Sequence, residues 1–203
     1  MTYDPKIHHR QSIRYKGYDY SSPGVYFTTI CSQNKSCLFG SVVATPCNCS
    51  SSEVSKNIRT ETGLCRICGN AEMRLNNAGI MVKDVWNKIP LFYKGFSIDN
   101  FVIMPNHIHG ILIIEESQSA GGGQAQGPAP TLTVSDVIMR FKTLTTKMYI
   151  DGVKKHQWKP FEGRLWQRGF FEHIIRNEKE LLKIRDYISF NPMKWESDNL
   201  YKQ

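Results

Sequence analysis

The sequence lacks any apolar run long enough to cross a bilayer, and its opening, "MTYDPKIHHRQSIR", has no hydrophobic core of signal-peptide length. No membrane partner and a cytoplasmic location are therefore expected. It also lacks GxxxxGK[ST], the loop that cradles nucleotide phosphates. Acidic residues are in short supply: 18 Asp+Glu stand against 26 Lys+Arg, a net charge of +8. Such a bias points to a polyanionic partner, most often nucleic acid. In a reducing compartment the six cysteines are expected as thiols or metal ligands rather than disulfides.

What is present suffices for a packed core. Of 203 residues, 40% are hydrophobic, which fits one domain over 1–203 with room for a small appended module. Strands are expected at about Val25–Ser32 and at "CLFGSVV". Residues 44–73 change character, being rich in Ser, Thr and Cys, and read as an insert. A helix follows at about Asn76–Ile89, with Val82, Val85, Trp86 and Ile89 at helical spacing and Pro90 at its end. "FSIDNFVIMP" and "HIHGILIIEE" read as paired strands. Residues 117–131 are Gly-, Ser-, Ala- and Gln-rich and read as a flexible loop.

From Thr133 a second helix is expected to about Ile150, capped by Thr133 or Ser135, with Val137, Phe141, Leu144 and Met148 as its apolar stripe. "WQRGFFEHIIR" reads as a short strand or irregular segment. A last helix runs from about Glu178 to Asn191, with Asn177 as N-cap, Glu180 completing a capping-box-like start, and Pro192 beyond its end. The order β-β-α-β-β-α-(β)-α has no strict βαβ repeat. It implies an α+β fold, an antiparallel sheet with helices on one or both faces.

The informative stretch is "FVIMPNHIHGILII". Residues i and i+2 of a strand share a face, so His107 and His109 project side by side next to a Pro-Asn turn. Ile111 and Ile113 continue that face. The pair is expected near the mouth of the strand, where the sheet meets solvent. Two readings stand: a pair of metal ligands, or half-buried histidines bonded to backbone. On the last helix Tyr187 and Asn191 are four apart on one face, beside an apolar stripe of Leu181, Ile184 and Ile188.

Together these pieces resemble a known family. "MPNHIHGI" resembles the HUH motif, two histidines around a bulky apolar residue. "YISFNP" resembles the nucleophile helix of that family. "IRYKGYDYSSPGVYFTTICSQNKSCLFG" and "LWQRGFFEHIIRNEKEL" are similar to REP-associated tyrosine transposases, relatives of the single-tyrosine transposases of small bacterial insertion sequences. The resemblance covers most of the chain apart from 44–73. It implies a ferredoxin-like HUH nuclease fold and a DNA-nicking and joining enzyme. It makes Tyr187 the nucleophile, and His107, His109 and Asn191 ligands of Mg²⁺ or Mn²⁺. The expected product is a 5′-phosphotyrosine with a free 3′-OH, and His173 is a candidate for support of the site. The expected partner is single-stranded DNA at repeat hairpins, handled by a monomer or a homodimer.

Basic residues would track phosphates and aromatics would stack on bases. The candidates are Arg10, Arg14, Tyr15, Lys16 and Tyr18, then Arg140, Lys142 and Lys147 on the second helix, then Trp166 and Arg168. In the insert, Cys47, Cys49, Cys65 and Cys68 give C-x-C-x₁₅-C-x₂-C, the spacing of a structural Zn²⁺ knuckle or else of free thiols. Two other functions remain open at this level: an HUH replication initiator or relaxase, and a non-catalytic, zinc-stabilised nucleic-acid-binding protein.

Overall fold

A computed structural model describes residues 18–44, 71–116 and 132–201. Cys47, Cys49, Cys65 and Cys68, the loop over 117–131, and Arg10, Arg14, Tyr15 and Lys16 lie outside the described residues. In chain order the elements are β1 (Gly24–Cys31), β2 (Gly40–Ala44), β3 (Ala71–Leu75), α1 (Asn77–Asn87), α2 (Ile89–Phe92), β4 (Phe96–Ile103), β5 (His107–Ile114), α3 (Val134–His156), β6 (Phe171–Ile175) and α4 (Glu178–Ser189). A 3₁₀ turn, Pro192–Ser197, follows α4. Four strands form one antiparallel sheet in the order β4-β5-β1-β6, and β2 and β3 form a separate ribbon. This is the expected α+β architecture, a central antiparallel sheet flanked by helices.

The two central strands, β1 and β5, read as near-continuous apolar runs because both faces of the sheet are covered. On one face Tyr26, Ile30, Ile108 and Leu112 join the large core, with Val82, Val85 and Trp86 of α1 and Val137, Ile138 and Phe141 of α3. On the other, Phe27, Ile111, Ile175 and Ile188 form a smaller cluster, with Leu181 and Ile184 of α4 packed against it. His107 and His109 belong to this second face, where they interrupt the apolar row.

The helices largely follow their sequence signals. Asn76 caps α1, its side chain accepting from the Gly79 N–H at 2.9 Å. Thr133, not Ser135, caps α3, in a full capping box with Asp136. Asn177 caps α4, but the Glu180 carboxylate reaches past it, accepting from the Arg176 N–H at 2.9 Å and lying 2.7 Å from His173 Nε2. Three expectations need correction. The buried stripe of α3 runs through Thr145 and Tyr149, while Leu144 and Met148 are exposed, because the helix rotates to place Tyr149 against Trp158 and Phe161. Asn191 lies beyond α4, opening the 3₁₀ turn. The end of the expected insert is a strand: "AEMRL" forms β3 by pairing with β2, although its residues favour helix in isolation.

Gly110 of β5 is where α1 comes closest to the sheet: a Cβ there would lie 2.4 Å from Trp86 Cζ2. Gly110→Ala is therefore expected to destabilise the protein by about 1–3 kcal/mol, since the ring is buried on all sides and has nowhere to retreat. Urea unfolding checks this against Gly24→Ala, whose added carbon meets only an ordinary contact with Tyr26 at 3.4 Å and is expected to be near neutral.

Candidate active site

The register of β1 on β5 sets Thr29 opposite His109 and Cys31 opposite His107. The two imidazoles lie 4.5 Å apart between ring centroids. They are not at a solvent-facing mouth: His107 is 0% and His109 3% exposed. Trp195 of the 3₁₀ turn covers His107, while Phe27 stacks on His109 at 5.4 Å and Tyr187 meets its edge.

The hydrogen bonds fix which ring nitrogens are free. Asn106 Nδ2 donates to Lys35 O at 3.1 Å and Leu200 O at 2.8 Å, so the Asn106 side-chain oxygen faces His107. His107 Nδ1–H donates to that oxygen at 2.8 Å, which leaves its Nε2 as a bare lone pair with no partner among the described residues. His109 Nδ1 lies 2.8 Å from Thr29 Oγ1, and its Nε2 lies 3.1 Å from Tyr187 Oη. Burial, above all, pushes both imidazoles down to about 3. Both are neutral at ordinary pH, the form that donates a lone pair.

A third group completes the cluster, and the sequence reading missed it. Asp198 follows the 3₁₀ turn, and a carboxylate oxygen of Asp198 and a ring nitrogen of each histidine all lie within 4.8 Å of one another. The carboxylate is held by the Leu200 N–H at 2.7 Å. Asn191 is 1% exposed; its Nδ2 points at Asp198 over 3.5 Å, and its Oδ1 has no partner among the described residues. His107 Nε2 and Asn191 Oδ1, neither with a hydrogen bond of good geometry among the described residues although Asn191 acts weakly on His107, thus sit beside a carboxylate and a second imidazole. A buried acceptor left unpaired costs about 1–3 kcal/mol, and a mixed N/O set of this kind fits a divalent cation.

Tyr187 is 39% exposed, with its hydroxyl directed into the cluster. Burial and then the Asp198 charge raise its proton affinity, while Asn191 acts the other way. His173 is instead engaged with Glu180 at the start of α4. Trp166 is 4% exposed, stacked on Phe39 with its indole N–H donating to Thr145, so its face is spent on packing. Tyr18 is taken up with Tyr20 and Tyr26. Lys142 donates to Gln167 O and Gly169 O and lines, with exposed Arg168, a groove of about 560 Å³. Arg140 and Lys147 line a second cavity, of about 410 Å³, between α3 and the α1–α2 corner.

No protein-family model matches the chain. It is 39% identical over 207 residues to an uncharacterised protein of Haemophilus influenzae, an alignment covering 98% of this chain and 97% of that one. It is also 30% identical over 95 residues, 45% of this chain and 47% of the relative, to a Haemophilus influenzae protein provisionally named a REP-associated tyrosine transposase. Among solved structures, a REP-associated tyrosine transposase bound to a REP hairpin aligns at 18% identity and a TM-score of 0.49, covering 91% of this chain and 74% of that one. A Deinococcus radiodurans protein provisionally named a transposase aligns at 14% identity and a TM-score of 0.38, covering 88% and 96%.

The two neutral imidazoles make a stability prediction for the metal-free protein. Each has a folded value near 3 against about 6.5 unfolded, so between those values the unfolded chain binds protons that the folded one refuses. Their contribution is fully present above about 6.5 and is lost as the pH falls toward 3. Urea midpoints measured with EDTA at pH 7.5 and pH 5 are expected to drop more steeply for wild type than for the double variant His107→Gln, His109→Gln, which has neither titration.

Proposed function

The chain belongs to one family with the uncharacterised Haemophilus influenzae protein that it matches over 98% of its length, and we propose that it is a single-tyrosine HUH nuclease of the REP-associated transposase kind, which cuts and rejoins single-stranded DNA at or near repeat hairpins. The observation that carries this reading is the placement of Tyr187 Oη 3.1 Å from His109 Nε2, within one chain, beside two buried acceptors that lack partners. A purely structural role for the cluster leaves those acceptors uncompensated. A cation-binding nuclease site does not.

Tyr187 Oη is the nucleophile. A bond forms between this oxygen and the phosphorus, the bond from phosphorus to the 3′ oxygen breaks, and the phenol's proton ends on the released 3′-OH. The 5′ end is held as a phosphotyrosine ester, so rejoining reverses the step without an outside energy source. Tyr187 is 39% exposed as a residue, so an extended strand can approach it, while the histidines are buried. His107, His109, Asn191 and Asp198 would hold Mg²⁺ or Mn²⁺, which when bound neutralises the non-bridging phosphate oxygens and orients the phosphate for in-line displacement. Asn106 and Thr29 orient the two rings from behind. Basic Arg140, Lys147 and Arg168 are the described candidates for tracking phosphates. A complete site within one chain supports a monomer that acts alone.

Covalent trapping tests the reading. Wild type incubated with labelled single-stranded repeat hairpins and Mg²⁺ or Mn²⁺ is expected to give a protease-sensitive adduct on a denaturing gel, lost with EDTA. Tyr187→Phe is expected to bind the same hairpins and give no adduct. Asp198→Asn is expected to need roughly tenfold more Mn²⁺ or beyond, since even groups that only orient ligands change metal affinity by about 10–100-fold. Intact binding without an adduct from any hairpin would turn the assignment toward a binding protein.

A further inference from the structure

Phe171 is exposed where a strand residue of its type would ordinarily be covered. It opens β6 and is 40% exposed, while the next residue, Glu172, is 7% exposed. The alternation along this edge strand is thus inverted: the aromatic faces solvent and the carboxylate is covered. The register shows which face Phe171 occupies. Thr29 pairs with His109 on one side and with Phe171 on the other, so all three side chains emerge on the catalytic face in one row across the sheet. At about 4.8 Å per strand spacing, Phe171 stands roughly 10 Å from His109.

Its neighbours hold its ring in place without covering it. Phe171 meets Phe27 edge-on at 6.2 Å, and Tyr187 meets the same Phe27 edge-on at 6.1 Å. Phe27 is itself stacked on His109. The nucleophile's ring and the Phe171 ring are therefore two exposed aromatics braced against one buried ring. Helix α4 leaves Phe171 open: its apolar residues Leu181, Ile184 and Ile188 pack in the cluster of Phe27, Ile111 and Ile175, which does not include Phe171. At the same end of the sheet Lys35, anchored through Nζ to Asn199 O, sets a positive charge near the histidines. An open aromatic ring on the face that carries His109 and Tyr187 suits a nucleobase of a single strand better than an apolar partner.

Resting on the nuclease reading, we propose that Phe171 is the stacking platform for a base next to the scissile phosphate, and that this stacking fixes where along the strand Tyr187 cuts. Phe27 is the positioning residue behind both rings.

The test uses the full chain and a hairpin that gives the covalent adduct, with one abasic site walked through the positions on either side of the cut. In wild type, one flanking position is expected to lower kcat/KM about tenfold when its base is removed. Phe171→Ala is expected to lower kcat/KM on the intact hairpin by a similar factor, and the abasic site is then expected to cost nothing more. Phe171→Leu, which keeps apolar bulk without a π-face, should behave like Phe171→Ala, and Phe171→Trp should restore both rate and base dependence. An abasic penalty of the same size in wild type and in both Phe171→Ala and Phe171→Leu would overturn the platform while leaving the nuclease reading standing. A wild type that gives no adduct with any hairpin overturns the nuclease reading and removes the platform with it.

Discussion

The site depends on one buried amide. Asn106 is 0% exposed and closes the turn between β4 and β5, and its side chain is fully committed. The nitrogen holds Lys35 O, from the segment after β1, and Leu200 O, from the C-terminal segment; the oxygen holds His107 Nδ1. Backbone bonds reinforce the same junction, since Ser32 N–H donates to Asn106 O, and the Leu38 and Phe39 N–H groups donate to Pro105 O. Three stretches far apart in the sequence are thereby fastened at the end of one strand. The consequences are chemical as well as structural. Holding His107 Nδ1–H leaves Nε2 free, and holding Leu200 delivers Asp198, whose carboxylate is pinned by the Leu200 N–H. One side chain thus selects the tautomer of an imidazole and the position of a carboxylate beside it.

The sheet divides labour between its faces. The large core lies on the α1 and α3 side, where Trp86, Phe141 and Trp166 pack around Phe39 and Phe101. The α4 side has a small apolar cluster, and the histidines take positions that aliphatic residues hold further along β5. That substitution is tolerated because the other face supplies most of the apolar burial. It also explains why α4 has only Ile188 fully buried and relies on polar attachments: the Asn177 cap, and Arg185 paired with Asp99 at 2.7 Å. Asp99 lies at the irregularity of β4 between Ile98 and Phe101, where the strand breaks register and turns a carboxylate toward the helix.

What the sequence revealed follows from the range of the forces involved. The strand pair around Pro105, the helical stripe of α1 and the caps of α3 and α4 are set by residues within a few positions, and periodicity shows them. Tyr187 was singled out by the family resemblance, and its reach to His109 came only from the structure. That His107 and His109 share a face was legible because they alternate along a strand. Their burial was not legible, since it depends on Trp195 and Tyr187 closing from a distant part of the chain. Asp198 was missed for the same reason: nothing local distinguishes it from Glu196. The usable signal was chemical, because two neutral imidazoles and an amide need an anionic partner to hold a doubly charged ion firmly. Trp166 looked like a binding residue because of the arginine beside it, but the bridge of Trp166 to Ser32 turns its ring inward. "AEMRL" became a strand only by finding β2 across an intervening segment of the chain.

The electrostatics of the cluster bear directly on the proposed chemistry. Among the described residues of the cluster the one formal charge is the Asp198 carboxylate, and in the proposed nuclease that charge would work against cleavage in two ways. It raises the proton affinity of Tyr187, adding to the effect of burial, and it would repel an approaching phosphodiester. The neutral histidines offer no compensation, since their surroundings keep them from taking up a proton. The same carboxylate would attract a divalent ion to a pocket whose other donors are uncharged. Neutralising it removes both obstacles together, and satisfies His107 Nε2 and Asn191 Oδ1 at the same time. In the nuclease proposed above, a site built this way would be inert when empty, and the phenol would stay unreactive until both ion and strand were in place.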